Sequence, residues 1–276
     1  MNTKVKTALT PMPHSTFRMM RFFTLLVLAP LFFAACAGPQ ARVQREETSR
    51  SHYHLGLAHL NEGRLQQASV EFQRAVEADP RNRDANYFLG HTYFLQEDLA
   101  QATRQFQKVL ALDAADADAH NYLGRIYAEE GRLDLAIAEY QRALANPDYE
   151  TPQYSHHNLG LIYMVQEKYA DAAAAFQQAL RIDTGAVRSR KMLGRTYFQT
   201  GRIAEAIAEY EQALRLAPDA SDIHFYLGEA HLKHGAKHLA RGAFEKVVGL
   251  APTSPEAAAS RKYLDTLETG APPSAR

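Results

Sequence analysis

The chain has 276 residues, of which 46% are hydrophobic and 22% charged, and this composition is that of a folded protein rather than a disordered tail. Its 31 basic and 31 acidic side chains give no net charge. That balance argues against electrostatic capture of nucleic acid, which needs a basic surface to displace counterions.

Residues 1–35 predict a cleaved secretory signal peptide. They carry four basic residues and no acidic one, and they end in the apolar run FFTLLVLAPLFFAA, residues 22–35. A run of 14 residues that contains Pro30 is too short for a membrane span, because a spanning helix needs about 20 apolar residues. The long basic region also makes Met19 or Met20 an alternative start.

The single cysteine, Cys36, resembles the lipidated cysteine of bacterial lipoproteins. The small residues Ala34 and Ala35 precede it, although Phe33 stands where leucine is usual. The resemblance implies that Cys36 is acylated after cleavage and anchors the protein in a membrane. Because Ala37 replaces the aspartate that favours inner-membrane retention, it also implies an outer-membrane location facing the periplasm. The alternative is a buried or incidental cysteine, and a count of one excludes a disulfide bond within the chain.

Cleavage would make the protein mildly acidic. Removing residues 1–35 takes away four basic side chains and leaves 27 against 31 acidic ones, a formal charge of −4. The next segment, residues 36–48, is polar and contains Gly38 and Pro39. It predicts a tether that reaches at most about 40 Å.

A Leu-Gly pair recurs along the rest of the chain at intervals of 34, 34, 36, 34 and 34 residues. Alanine stands twelve residues after each glycine, and phenylalanine or tyrosine stands sixteen after it. This pattern resembles the tetratricopeptide repeat (TPR) family, whose units are antiparallel helical hairpins. It implies an all-α fold, a right-handed TPR superhelix (α-solenoid) of six helical hairpins with a concave and a convex face. The predicted repeats, numbered one to six, are residues 49–82, 83–116, 117–150, 153–186, 187–220 and 221–254.

The glycines of the Leu-Gly pairs need a physical reason, since glycine inside a helix costs about 1 kcal/mol relative to alanine. We interpret each as a point of close backbone contact with the second helix of the hairpin, at the recurring alanine. A second set of glycines falls between the two helices of a hairpin. They predict left-handed residues that end the first helix, and they are Gly63, Gly131, Gly201 and Gly235.

The array needs a polar end, and residues 255–268 predict a capping helix. Ser254 suits its N-cap and Pro255 its first turn. We expect the capping helix to cover the last hairpin with Ala258, Leu264 and Leu267. Residues 269–276 predict a disordered tail.

In TPR proteins the first helix of each unit lines the concave groove. The corresponding positions predict a groove that is aromatic and apolar in repeats one, two and four and basic in repeat five. Such a groove fits a peptide or an amphipathic segment of another protein, although part of the stripe could instead be core between hairpins. The carboxylate clamp of chaperone-binding TPR domains is absent, because Tyr53, Leu57 and Phe88 occupy its positions. The groove residues are Tyr53, Leu57, Leu60, Tyr87, His91, Phe94, Asn121, Arg125, Tyr154, His157, Leu161, Met164, Arg188, Lys191, Arg195, Phe198, Phe225 and Glu229.

The sequence carries no recognisable catalytic motif. The patterns G-x-x-x-x-G-K-[ST], H-E-x-x-H, G-x-S-x-G and C-x-x-C are absent. We therefore predict no enzyme, no cofactor and no small-molecule substrate. The histidine cluster His231, His234 and His238 favours packing or surface roles over a zinc site, because His231 takes the tyrosine position of the repeat and Gly235 breaks the helix before His238.

The 36-residue interval falls between repeats three and four, in ALANPDYETPQYSHHNLG, residues 143–160. Here Asn146-Pro147 ends one unit, and Tyr149 and Pro152 precede the next. This junction, with the lipobox and six TPR units, resembles the lipoproteins of type IV pilus biogenesis, the PilF/PilW/Tgl group of pilotins. We interpret the two extra residues as a surface loop that carries Tyr149.

The resemblance implies a non-enzymatic assembly factor. Such a protein binds subunits of the pilus secretin and promotes their outer-membrane localisation and multimerisation. The aromatic residues of repeats one and two, nearest the anchor, are the first choice for the secretin contact. The alternative is a general TPR lipoprotein that serves outer-membrane protein insertion or polysaccharide export.

Overall fold

The computed structural model describes residues 16–269, with side chains from residue 38 to residue 269. The predicted signal peptide and Cys36 lie outside the range whose side chains are described, and the predicted tail beyond residue 269 lies outside the described residues. The described residues form helices and no strand, so the predicted all-α solenoid class is confirmed. The thirteen helices in this range are α1 (Thr16–Asn61), α2 (Leu65–Ala78), α3 (Arg83–Leu95), α4 (Leu99–Leu112), α5 (Ala117–Glu129), α6 (Leu133–Ala145), α7 (Pro152–Val165), α8 (Tyr169–Ile182), α9 (Val187–Gln199), α10 (Ile203–Leu216), α11 (Ser221–Lys233), α12 (Lys237–Leu250) and α13 (Pro255–Thr269).

The helices fall into two compact bodies. The N-terminal body ends at Gln96 and contains α1 to α3, while the C-terminal body begins at Glu97 and contains α4 to α13. Within the C-terminal body the first helices α5, α7, α9 and α11 are neighbours in that order, and each packs against the second helix that follows it. Side chains on the outer side of these first helices therefore share one face.

A left-handed residue separates the two helices of each hairpin. Gly63, Gly131, Gly201 and Gly235 have φ between 71° and 86°, as predicted. A glutamate has the same conformation between α3 and α4 and between α7 and α8, Glu97 with φ 62° and Glu167 with φ 57°. The tight turn is therefore kept even where the sequence lacks the glycine that favours it.

The glycines of the Leu-Gly pairs make room for an aromatic ring. A Cβ atom built on Gly160 would lie 2.6 Å from the ring of Phe176, and one on Gly228 would lie 2.6 Å from Phe244. The same clash arises at Gly56, Gly124 and Gly194. The expectation of backbone-to-backbone contact is therefore wrong at these five glycines, because the ring on the second helix fills the space above each of them.

The same rings also join successive hairpins. In four places a ring stacks face to face on an aromatic ring of the helix that follows the hairpin, with centroids 4.8–6.0 Å apart. The two junctions on either side of repeat four lack this stack, since Asn158 and Met192 stand where the second ring would be. The stacked pairs are Phe72–Phe88, Phe106–Tyr122, Tyr210–Tyr226 and Phe244–Tyr263.

The last hairpin is covered by α13. Ser254 Oγ accepts a hydrogen bond from the backbone N–H of Ala257 at 3.0 Å, which caps the helix. Ala257 is buried and Ala258 is exposed, so the choice of Ala258 as a covering residue is wrong. The stacking of Tyr263 on the last hairpin sets the rotation of α13, and the two predicted leucines are half-buried beside it.

The segment interpreted as a tether is helical wherever the structure describes its side chains. Residues 38–48 continue without a break into the first helix of repeat one. Arg42 pairs with Glu46 at 2.8 Å, and Thr48 Oγ1 donates to the carbonyl of Gln44 at 2.8 Å. An extended tether is therefore wrong, because eleven helical residues rise only about 16 Å at 1.5 Å each. Among the described residues, we find no helix that combines the length and apolarity of a membrane span.

Substitution of Gly160 tests the role of the ring. We expect Gly160→Ala to lower the free energy of unfolding by about 1–3 kcal/mol, because the added methyl group overpacks against Phe176. Gly242→Ala is the matched control, since Gly242 also lies inside a helix but has no neighbouring atom within 4 Å of an added Cβ. It should raise stability by up to about 1 kcal/mol through helix propensity.

Urea unfolding followed by circular dichroism measures both effects. If Gly160→Ala proved as stable as Gly242→Ala, the ring would not need the space above the glycine.

Candidate protein-binding face

The predicted groove residues of repeat one pack among their neighbours. Tyr53 lies 6.1 Å from Phe72 and 5.7 Å from Phe88, centroid to centroid, and burial raises the pKa of its hydroxyl. Leu57 and Leu60 pack against the same cluster. All three are half-buried, so they stabilise the N-terminal body as well as line its outer face.

Repeat two continues this arrangement on α3. Tyr87, His91 and Phe94 are half-buried, and the first two have ring contacts with Phe88. Leu95 is exposed at the end of the helix, five residues after the glycine of its repeat. Leu95 is not among the predicted groove residues, which do not include the fifth residue after the glycine.

Two of the predicted groove residues in the C-terminal body, Asn121 and His157, bind the next hairpin. Asn121 is only 7% exposed and accepts a hydrogen bond from Ser155 at 3.0 Å. The imidazole of His157 is hydrogen-bonded to Ser189 at 2.9 Å. These contacts join neighbouring first helices, so the interpretation as core between hairpins describes them better than a free groove.

The α7 helix carries the most exposed apolar side chains of the predicted groove region. Tyr154 is 59% exposed and Val165 is 72% exposed. Leu161 lies between them and is half-buried against the core. Spacings of seven and four residues place the three on one side of the helix, and we call them the α7 stripe.

Val165 is not among the predicted groove residues, yet it is the most exposed member of the stripe. The sequence could have indicated Val165 as an exposed apolar residue. The equivalent position is polar in four other repeats, where it is Asn61, Glu129, Gln199 or Lys233. Two predicted members, Met164 and Phe198, instead pack partly against the core.

The neighbouring helix α9 is basic. Arg188 is exposed near its N-terminus, and the Arg195 guanidinium lies 4.9 Å from the centre of the Tyr226 ring. Lys191 is tied to α11 because its ammonium donates to Asp222 at 2.6 Å. Neither α7 nor α9 contains an acidic residue.

The flanking helices complete this face. On α5, the Arg125 guanidinium lies 5.1 Å from the centre of the Tyr122 ring on the same helix. On α11, Phe225 packs against Tyr263, whose hydroxyl donates to Glu229 at 3.1 Å. Burial raises the pKa of Glu229.

The charge of α9 affects its neighbour. Burial lowers the pKa of His157 to about 4, and the nearby cations Arg188 and Lys191 act in the same direction. His157 is therefore neutral near pH 7. The α7 stripe next to it consequently lies on an uncharged helix beside a positive one.

The junction between repeats three and four is folded inward. Tyr149 is 8% exposed and packs against Ala117 and Ala143. Its hydroxyl lies 3.3 Å from Ser155 Oγ, and burial raises its pKa. The interpretation of Tyr149 as a surface-loop residue is therefore wrong, because the longer loop lets its ring fill a gap between the two hairpins.

The loop is held at its start by Asn146. Asn146 Nδ2 donates to the carbonyl of Ala115 at 2.7 Å, and Asn146 Oδ1 accepts from the backbone of Asp148 at 2.9 Å. Thr151 occupies the N-cap position of α7 but makes no capping bond with its side chain, and Pro152 begins the helix.

Within residues 38–269, no group of three His, Cys, Asp or Glu side chains is placed to hold a metal ion.

Comparison with known families matches nearly the whole repeat region. Sequence profiles described as tetratricopeptide repeat match residues 53–116, 90–151 and 191–255, and a second such profile matches residues 153–219. No curated protein sequence matches the chain.

Several solved structures are similar in fold. A structure of PilW, described as a widely conserved type IV pilus biogenesis factor, matches with a TM-score of 0.69 at 20% identity, over 80% of this chain and 98% of that one. PilF of Pseudomonas aeruginosa matches with a TM-score of 0.70 at 21% identity, over 83% and 100%. YrrB, described as a TPR protein with an unusual peptide-binding site, matches with a TM-score of 0.58 at 19% identity, over 69% and 97%. At these identities the likeness establishes the fold.

Substitution of Tyr149 tests its place in the core. Tyr149→Ala should lower the free energy of unfolding by about 3 kcal/mol because it leaves a cavity between hairpins. Tyr149→Phe should cost about 1 kcal/mol through the lost hydrogen bond. Tyr154→Ala is the control and should change stability by less than about 0.5 kcal/mol because Tyr154 is exposed. Equal effects of the two alanine variants, measured by urea unfolding, would contradict the buried position of Tyr149.

The pKa of His157 predicts a loss of stability in acid. A histidine whose folded pKa lies below its unfolded value of about 6.5 binds its proton mainly in the unfolded state. Its contribution is therefore complete above pH 6.5 and is lost as the pH falls toward 4. We expect His157→Gln to remove about 2 kcal/mol from the fall in unfolding free energy between pH 7 and pH 4.5. Parallel pH profiles for the variant and the unmodified protein would show that His157 does not titrate in this way.

Proposed function

Because the chain belongs to the tetratricopeptide repeat family, whose members bind protein partners, we propose that it is a non-enzymatic scaffold of type IV pilus biogenesis. In this role it acts as a pilotin. It binds secretin subunits and promotes their localisation and multimerisation in the outer membrane.

The observation that supports a binding role most directly is the exposed α7 stripe. Tyr154 and Val165 lie on α7, and each leaves more than half of its surface exposed to solvent. The other residues of this helix are buried or half-buried. Large apolar side chains in a row on a solvent-facing helix favour contact with another protein. The similarity in fold to PilW and PilF, which spans nearly the full length of both, favours the pilus setting.

The membrane anchor is part of the proposal. Acylation of Cys36 would hold the protein in the outer membrane with the repeats in the periplasm. Residues 38–48 are helical and lead directly into repeat one. The anchor would then be joined to the first hairpin through a helix, which restricts the motion of that hairpin more than a flexible tether would.

The exposure of the α7 stripe makes it a better candidate for the secretin contact than the aromatic residues of repeats one and two. The rings of repeats one and two are the first choice from the sequence, but Tyr53, Leu57 and Leu60 pack in the N-terminal body. The α7 stripe is more exposed, so we place the first secretin contact there. Leu95, which is exposed on α3, is the second choice.

Deletion of the gene tests the pilotin role. We expect the deletion strain to accumulate secretin monomer and to lose heat- and detergent-resistant multimers, measured by immunoblotting after gel electrophoresis. The Cys36→Ala protein should leave the outer-membrane fraction and restore multimers poorly, because acylation supplies the anchor.

Normal multimers in the deletion strain would contradict the pilotin role. They would leave the general outer-membrane scaffold as the better description. A Cys36→Ala protein that still fractionates with the outer membrane would contradict the lipid anchor alone.

A further inference from the structure

We propose that the face formed by α7 and α9 binds a partner segment that combines apolar with acidic side chains. This inference rests on the proposed function and adds the chemistry of the partner segment. The face consists of the α7 stripe together with Arg188 and Arg195.

The apolar half of the face sets the length of the segment. Tyr154 and Val165 are eleven residues apart on α7, which corresponds to about 17 Å along the helix. An extended peptide covers that distance with about five residues. Alternate side chains of such a peptide would contact Tyr154, Leu161 and Val165 in turn.

The basic half supplies the charge preference. Arg188 is exposed and has no carboxylate partner among the described residues. Arg195 is half-buried over the Tyr226 ring, which fixes its direction, and Glu229 on α11 is its acidic neighbour. A carboxylate on the partner could pair with either guanidinium through two hydrogen bonds.

The sequence of α9 departs from the usual distribution of helix charges. Cations near a helix N-terminus are unfavourable because the first turn carries a partial positive charge. Three other first helices, α3, α5 and α11, have an aspartate in the first turn, while α9 has Arg188 and Arg190 there and no acid. Arg190 is compensated by Glu209 at 3.0 Å. Arg188 has no such compensation, and a local departure of this kind is expected where a site is selected for function.

The flanking helices limit what can bind. Asp118 and Glu129 stand on α5, and Asp222 and Glu229 stand on α11, on either side of the α7 and α9 pair. Of these, Asp222 is paired with Lys191 on α9. Packed helices lie about 8–10 Å apart, so the uncharged and basic strip is about as wide as one peptide. An anionic lipid surface would have to approach the flanking acids as well. A narrow acidic and apolar segment would not, and a protein partner is therefore favoured over a membrane.

Charge reversal tests the proposal with the acylated protein and the secretin of the same bacterium, both purified in detergent. We expect Arg188→Glu combined with Arg195→Glu to weaken binding at least about tenfold at low salt and to reduce its salt dependence. Arg104→Glu combined with Arg215→Glu is the matched control, because both residues are exposed on second helices, and it should bind as the unmodified protein does. Equal affinities for the two double variants would overturn the charge preference.

Photo-crosslinking in cells tests the face independently of the secretin. A benzoylphenylalanine at position 154 or 165 should crosslink to a segment with net negative charge, and the same probe at Leu135, which is exposed on α6, should not. Arg188→Glu combined with Arg195→Glu should abolish these crosslinks. A neutral or basic segment, or no crosslink above the Leu135 level, would overturn the proposal.

Binding to vesicles that contain phosphatidylglycerol tests the alternative that this face contacts a lipid surface. If the purified protein bound them with an affinity that the same charge reversal reduced, the face would be a lipid-binding surface and the proposal would be wrong. Loss of secretin multimers on gene deletion with no effect of charge reversal would keep the pilotin role and remove this inference alone. Negatively charged crosslinked segments from a protein other than the secretin would keep this inference and contradict the pilotin role.

Discussion

The packing of an aromatic ring over a helical glycine is the contact on which the rest of the structure depends. The ring lies on the second helix of each hairpin, above a glycine that has no side chain to displace it. In four places the same ring stacks on an aromatic residue of the helix that follows the hairpin. Where both contacts are present, one side chain closes its own hairpin and joins it to the next helix, which explains why these positions vary so little in the sequence.

This division of roles leaves the outer side of the first helices free to vary. The core is supplied by the recurring leucine, alanine and ring, so residues one and five positions after the glycine need not be apolar. In repeat four these positions hold Leu161 and Val165, and in repeat five the first of them is Arg195. The two junctions around repeat four also lack the ring stack. The part of the C-terminal body that departs most from the repeat is therefore the part with the exposed apolar and basic face.

The sequence predicted features that are set locally and missed features that depend on tertiary packing. Left-handed glycines such as Gly131 were predictable because the chain must turn there between two helices. The burial of Tyr149 was not, since a loop next to two prolines gives no sign of which neighbours its ring will contact. The helix at residues 38–48 was not predicted because Gly38 and Pro39 indicate a break, although the residues that follow them favour a helix. The prediction that Ala258 covers the last hairpin was wrong because the stacking of Tyr263, a tertiary contact, sets the rotation of α13.

A cryo-EM structure of the acylated protein bound to its secretin would test the central claim most directly. We predict a secretin segment lying along α7, with apolar side chains against Tyr154 and Val165 and a carboxylate within hydrogen-bond distance of Arg188 or Arg195. A secretin segment bound to the second helices, or to the aromatic residues of repeats one and two with α7 left exposed to solvent, would contradict it.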